Sequence, residues 1–226
     1  MVSPNRPIGA AHFAWFAGLV VALVSLLWEP SVPWLAANAL YPWLLILVAF
    51  VAPGTFQLFR SKSLRPTLFF ALYVQMMVLP IRAIVGVHLV SPVQLILPSA
   101  VLAAGITLAA SRIDSTAKRP AQWIPFALLA AFYAWGVAAQ TDVLLDHSTP
   151  QSLQSTVIGG HASYSSRHGT SYTLIIKAIG PASSPLEAPV SERLFVESKP
   201  GHPICLDFHQ GALRIPWYEV HFCQSF

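Results

Sequence analysis

Five long apolar runs fill the first 140 residues and constrain this chain more than any other feature. They cover residues 11–28, 34–59, 66–90, 92–110 and 122–140. Each approaches or exceeds the roughly 20 apolar residues that a bilayer-spanning helix needs, and each is apolar around its whole circumference, unlike a soluble helix. Only 10% of the chain is charged, against about 25% in soluble domains. The sequence therefore predicts a transmembrane domain of five helices over residues 1–140.

The first run is also a candidate signal peptide. Arg6 is the only cation before it, and its apolar core is longer than the roughly 7–15 residues usual in signal peptides. It continues into Trp28, Glu29 and Pro30 without a clear cleavage site of the small-x-small type. We expect a retained helix.

Lysines and arginines are confined to alternate connections between the runs. The N-terminal tail and the connections after runs two and four carry, in order, Arg6; Arg60, Lys62 and Arg65; Arg112, Lys118 and Arg119. The connections after runs one and three carry none. The positive-inside rule predicts a cytoplasmic N-terminus and, after five spans, a C-terminal domain on the opposite side. The basic charge lies in these short connections, so the excess of Lys and Arg does not indicate a nucleic-acid partner.

The last third of the chain changes character. Residues 141–153 are predicted to form a tether and residues 154–226 a β-rich domain. Period-two runs, typical of half-buried strands, cover residues 154–161, 172–179, 192–197, 204–209 and 217–223. A loop is expected at 181–189. The predicted fold class is thus an α-helical membrane bundle followed by a small all-β domain, an antiparallel barrel or sandwich.

Cys205 and Cys223 are the two cysteines, and both lie on the more polar faces of the last two predicted strands. In an oxidising compartment they would form a disulfide, worth about 3 kcal/mol to the small domain in the chain-entropy model. The alternative is two free thiols in a cytosolic domain. The charge distribution places the domain outside the cytoplasm and favours the disulfide.

Most of the histidines lie in the tail, and a metal site can be drawn from His202, Asp207, His209 and His221. Their spacing matches no known metal motif. Histidines on solvated strand faces are the alternative, and we expect neither a metal nor a cofactor. The nucleophile elbow, the P-loop and the dinucleotide fingerprint are also missing from the sequence, so it identifies no catalytic residue.

Arg82 is the clear charge within a predicted span. An ionisable residue in a membrane helix is by default a functional hypothesis. It lies near the outer end of its run, where its side chain could reach the headgroups or pair with Glu29, Asp142 or Asp146. Either a structural or a transport role remains open.

The segment from Gly201 to Cys223 contains a cysteine, a Gly-x-Leu-x-x-Pro-Trp-Tyr turn and a second cysteine. It resembles the closing segment of a group of uncharacterised bacterial multi-pass membrane proteins that end in a β-rich domain. The resemblance implies a bacterial inner-membrane setting and a paired Cys205 and Cys223. In that setting the side opposite the cytoplasm, where the charges place the domain, is the periplasm. It implies no activity. Trp217 and Tyr218 would pack within the hairpin, with a partner-docking surface as the alternative.

Three functions follow from these features. The first is a non-enzymatic membrane protein whose periplasmic β domain binds or braces a partner, either another protein or a second copy. The second is a transport or channel component that uses Arg82 and the proline-containing helices. The third is a periplasmic enzyme with a metal in the tail. The scarcity of site motifs favours the first.

Overall fold

The structure is a computed structural model that describes residues 6–51, 68–113, 120–165 and 169–223. Its first two thirds are helical, as expected for apolar runs broken by polar connections. The helices are α1 (Arg6–Leu27), α2 (Val32–Val51), α3 (Phe69–Gly86), α4 (Ile96–Ile113, preceded by a 3₁₀ turn at Pro92–Leu95) and α5 (Pro120–Leu144).

Three helical segments are long and apolar enough to cross a membrane: Val32–Val51, Pro92–Arg112 and Trp123–Leu144. Within the described residues, the apolar parts of α1 and α3 are shorter, at Phe16–Leu27 and Phe70–Gly86. The expectation of helices fit to cross a membrane is confirmed for three of the five predicted spans, within the described residues. The predicted ends of runs two and three, at 52–59 and 66–67, lie outside the described residues.

The chain divides into two compact units, which we call the helical unit (Met1–Gly86 and Val93–Leu144) and the sheet unit (Val87–Pro92 and Leu145–Phe226). In the helical unit α3 packs against α1, α2 and α5, and α4 packs against α5. Met76, Leu79, Ile106 and Tyr133 are fully buried between these helices. Many large apolar side chains of the unit are exposed, as expected for helices that face lipid.

The sheet unit is built on one curved antiparallel sheet, a half-barrel, with the strand order β3-β2-β1-β4-β5. The strands are β1 (Gln151–Ser165), β2 (Gly169–Ile176), β3 (Leu186–Val190), β4 (Pro203–His209) and β5 (Trp217–His221). The alternation predicted for β4 is confirmed, because Ile204, Leu206 and Phe208 enter the core while the residues between them do not.

Strand β1 is long and serves two neighbours in turn. Its first part, Gln151 to Thr156, pairs with β4. Its second part pairs with β2 from Val157 to Ser165, with an irregularity between Val157 and Gly159. The second part therefore continues past the end of β4 as a two-stranded hairpin.

The segment 87–92, which lies between α3 and α4 in the sequence, belongs to the sheet unit. Leu89 forms an antiparallel bridge with Trp217. Val90 N–H donates to Pro216 O at 2.8 Å, and Tyr218 N–H donates to His88 O at 2.9 Å. The predicted span 66–90 is thus too long: helix α3 ends at Gly86, and the following residues extend the sheet beyond β5.

Residues 192–197, predicted as a strand, form the short helix α6 (Glu192–Glu197). Ser191 caps its start, since the side-chain oxygen accepts from Leu194 N–H, and Glu192 lies in the first turn. Both features favour a helix start over a strand. The loop expected at 181–189 is also wrong in part, because β3 occupies Leu186–Val190 and completes the sheet.

The predicted tether, 141–153, is divided among ordered elements. Helix α5 continues to Leu144 and β1 begins at Gln151. The residues between them hold Asp146 and Ser148, which are hydrogen-bonded to the β4–β5 connection. Residues 145–150, whose polar sequence is typical of a linker, are therefore part of the sheet unit.

Candidate functional site

The outer face of β4 and β5 carries three cross-strand links. Cys205 is bonded to Cys223, with 4.9 Å between their Cα atoms, within the range that disulfides need. Asp207 Oδ2 lies 3.0 Å from His221 Nε2. The rings of His209 and Trp217 stack with their centroids 4.0 Å apart. These side chains share one face because β4 alternates, so every second residue points away from the core.

Asp146 is the most enclosed carboxylate of the sheet unit among the described ion pairs, with its side chain 4% exposed. Its Oδ2 accepts from Gly211 N–H and from Trp217 Nε1–H, both at 2.9 Å. Its Oδ1 accepts from Ser148 N–H at 2.7 Å. Gly211 has φ +75°, a backbone conformation that favours glycine. Asp146 therefore holds the β4–β5 connection against the start of the sheet unit.

Hydrogen bonding controls the charge of both aspartates. Burial acts to raise the pKa of Asp146, but the hydrogen bonds from Ser148, Trp217 and Gly211 outweigh it, and the pKa lies below its usual value. The Ser152 hydroxyl, which donates to Asp207, is the largest cause of the lowered pKa of Asp207. Both groups are anionic at neutral pH, where they accept these hydrogen bonds.

Ser152, Asp207 and His221 form a chain of contacts, but in the wrong order for nucleophilic catalysis. A serine nucleophile needs histidine as its neighbouring base, with the carboxylate behind the histidine. Here the carboxylate lies in the middle, between the hydroxyl and the imidazole. Because the three residues come from β1, β4 and β5, the chain instead links three neighbouring strands.

The four residues drawn as a metal site are not brought together. Asp207 meets His221, while His209 Nδ1 lies 4.0 Å from Asp146. His202 Nδ1 lies 3.0 Å from Glu197 O instead. The part of the chain that the structure describes contains no group of three His, Cys, Asp or Glu side chains placed to hold a metal ion.

Trp217 and Tyr218 are buried, with 8% and 3% of their surface exposed. Tyr218 packs on Phe208, and its hydroxyl reaches Glu187 O on β3 at 3.3 Å. Burial raises the pKa of Tyr218 to about 12, so the hydroxyl keeps its proton and donates. With so little surface exposed, both residues pack within the sheet unit and neither presents a docking surface.

Arg82 contacts the turn between α1 and α2. Its guanidinium donates to Trp28 O, just after the end of α1, and lies 6.0 Å from the centre of a Trp34 ring. A cation at a helix C-terminus satisfies a free carbonyl and the helix dipole. The described hydrogen bond of Arg82 is thus to a backbone carbonyl.

Two buried amides lie beside this turn in the helical unit. Gln75 Nε2 donates to Asn38 Oδ1 at 2.6 Å, and Asn38 Nδ2 donates to Trp34 O at 2.8 Å. Trp34 Nε1 donates in turn to Ser25 O at 2.9 Å. These bonds join α1, α2 and α3, as polar side chains commonly do between membrane helices.

The hairpin formed by the second part of β1 with β2 is the most exposed part of the sheet. We call residues 159–165 of β1, on the side away from β2, the open edge. The last backbone bonds described on this side are Val157 N–H to His202 O and Gly201 N–H to Val157 O. Beyond them β1 has no strand partner on this side within the described ranges. Residues 160–164 are all exposed, Tyr164 at 78%.

The open edge lacks the charges and prolines that blunt many free strand edges, and a register irregularity between Val157 and Gly159 lies at its start. Residues 151–165 contain no Asp, Glu, Lys, Arg or Pro. The edge at β3, by contrast, carries Glu187 and Pro189, and the β5 edge is covered by residues 88–90. The sequence predicted a strand at 154–161 but not its extension to Ser165. The lack of charged residues up to Ser165 was the sequence signal that could have indicated an unprotected strand edge.

Comparison of the chain with protein-family models, with curated proteins and with solved structures found no match. The resemblance of the closing segment to uncharacterised bacterial membrane proteins stays a prediction.

Proposed function

We propose that this chain is a non-enzymatic integral membrane protein whose sheet unit binds a protein partner outside the cytoplasm. The observation that carries the proposal is the open edge, a row of exposed backbone groups without the charges that keep other chains away. Strand addition to such an edge is a common way of binding an extended polypeptide. The cross-strand links at β4 and β5 would brace the sheet that presents it.

The proposed orientation rests on the sequence and the disulfide together. All five apolar helices cross the membrane in this proposal, with the N-terminus in the cytoplasm and the sheet unit in the periplasm of a bacterial inner membrane. Support comes from the lysines and arginines confined to alternate connections. The Cys205–Cys223 bond gives independent support, since disulfides persist in oxidising compartments.

The orientation predicts how the two thiols react with a membrane-impermeant maleimide on intact spheroplasts. We expect labelling of Cys205 and Cys223 only after reduction, because the disulfide blocks both sulfurs and the reagent reaches the outer surface. A Cys205→Ser, Cys223→Ser variant serves as the control for background labelling. Labelling that needs no reductant but requires a broken membrane would contradict the orientation.

Partner binding is tested by adding charge to the hairpin. The full chain, extracted from its membrane in mild detergent, is expected to sediment as a complex with a protein partner, either another chain or a second copy. We expect Tyr164→Lys to weaken this complex at least about tenfold, as for an aromatic residue that dominates an interface. The matched control is Leu213→Lys, at an exposed position in the β4–β5 connection.

Two results would contradict partner binding. One is a chain that sediments alone under every extraction condition. The other is a complex that Tyr164→Lys and Leu213→Lys leave equally intact, because the open edge would then have no part in it.

The transport alternative depends on Arg82, and its contacts favour a structural role. The guanidinium meets the end of α1, and the neighbouring amides Asn38 and Gln75 bond to each other. These contacts join neighbouring helices, which favours a structural role for Arg82 over transport.

A further inference from the structure

We infer that the open edge of one copy pairs antiparallel with the open edge of a second copy, so that the partner of the sheet unit is this chain itself. This inference rests on the proposed partner binding and names the partner. The open edge spans seven residues, about 24 Å of strand. Alternate residues of the edge direct their N–H and C=O groups away from β2, where an antiparallel strand forms hydrogen bonds with them.

Symmetry favours a second copy. Two identical strands that run antiparallel are related by a two-fold axis, so one surface serves both sides of the contact. With the edges fully overlapped, Ala162 is at the centre of residues 159–165 and faces Ala162 of the other copy. Gly159, Gly160, Ala162 and Ser163 are small, so few bulky side chains crowd the two faces of the paired strands.

Charge favours the same partner. A different protein that docks on a charged surface is selected and steered by complementary charges. Residues 151–165 offer none, because they carry no acidic or basic residue apart from His161. The same neutrality lets two copies meet without like-charge repulsion, which would oppose self-pairing of a charged strand.

The area of the contact is small, and the membrane compensates for it. One strand pair of seven residues a side buries less than the roughly 1,200 Å² at which stable soluble interfaces begin. Two copies held in the same bilayer meet at a raised effective concentration, which strengthens weak contacts. We therefore expect the pair to persist in the membrane and in concentrated detergent extracts, and to dissociate when the extract is diluted.

Photocrosslinking in intact membranes tests the site. The photoreactive residue p-benzoylphenylalanine replaces Tyr164 in the full chain. In a separate control variant the same residue replaces Leu213. We expect irradiation to yield a product of twice the 24.6 kDa chain mass from the Tyr164 position and little from the Leu213 position. A product that contains a different protein would overturn the second copy and leave partner binding standing.

Charge exchange tests the pairing itself. In the Tyr164 crosslinking background, Ala162→Lys or Ala162→Glu alone is expected to lower the yield about fivefold, since like charges then face each other. Co-expression of the two variants with different tags should restore the yield of the mixed pair, which also excludes misfolding as the cause. Unchanged yields in the single variants, or no rescue in the mixture, would overturn the edge pairing, whether or not a partner still copurifies.

Discussion

Asp146→Ala is expected to destabilise the sheet unit by about 4 kcal/mol. Truncation removes the acceptor of three N–H groups, those of Ser148, Gly211 and the Trp217 ring, in a place that water hardly enters. Each N–H group left without an acceptor destabilises the folded state, because the same group is hydrogen-bonded to water in the unfolded chain. Hydrogen exchange in the full chain should report faster exchange of the β4 and β5 amides.

Asp207→Ala is the matched control for this prediction. Asp207 is also an aspartate on the outer side of the sheet with a histidine neighbour, but its side chain is 24% exposed. Water can replace the lost carboxylate there, so we expect a loss of only about 1 kcal/mol. Equal exchange rates in the two variants would mean that burial of Asp146 does not matter to the stability of the unit.

The pH dependence of stability distinguishes the contribution of the Asp146 charge from that of the side-chain shape. Its folded-state pKa lies below the unfolded value of about 3.9. Its contribution is therefore complete above that value and is lost as the pH falls through the folded pKa. Asp207 acts with the same sign. Asp146→Asn should accordingly remove only part of the acid sensitivity below about pH 4.

Asp146 also indicates where sequence interpretation fails. The length of the apolar runs locates the helices, and period-two alternation locates the inward face of β4, because both patterns are local. Asp146 lies in a polar stretch that is typical of a linker, and its partners Gly211 and Trp217 are 65 and 71 residues away. A contact over that distance leaves no periodic signal, so the residue was assigned to the tether.

Other differences had a local signal that the period-two pattern concealed. Ser191 followed by Glu192 is an N-cap with an acidic first turn, which predicts the helix α6. The pairing of residues 88–90 with β5 had no such signal. In the sequence, residues 88–90 continue the apolar run of α3. Only the structure shows that α3 ends before them, at Gly86.

Gly136→Val is expected to destabilise the helical unit by about 3 kcal/mol or slightly more. A Cβ at Gly136 would lie 2.3 Å from Pro80 N and 2.7 Å from Leu79 C. These are backbone atoms of α3, so no side chain can rotate away and the two helices must separate. Membrane helices lack a hydrophobic drive to associate and depend on such close packing. Unfolding in denaturing detergent, followed by circular dichroism, should show a lower midpoint.

Gly105→Val provides the matched control, because it adds the same branched side chain within another apolar helix. The nearest atom to a Cβ at Gly105 is the end of the Trp43 side chain, 3.9 Å away, an ordinary contact distance. Both variants lose the same backbone freedom, so the difference between them isolates the approach of α5 to α3. Equal midpoints would mean that this approach does not limit the stability of the bundle.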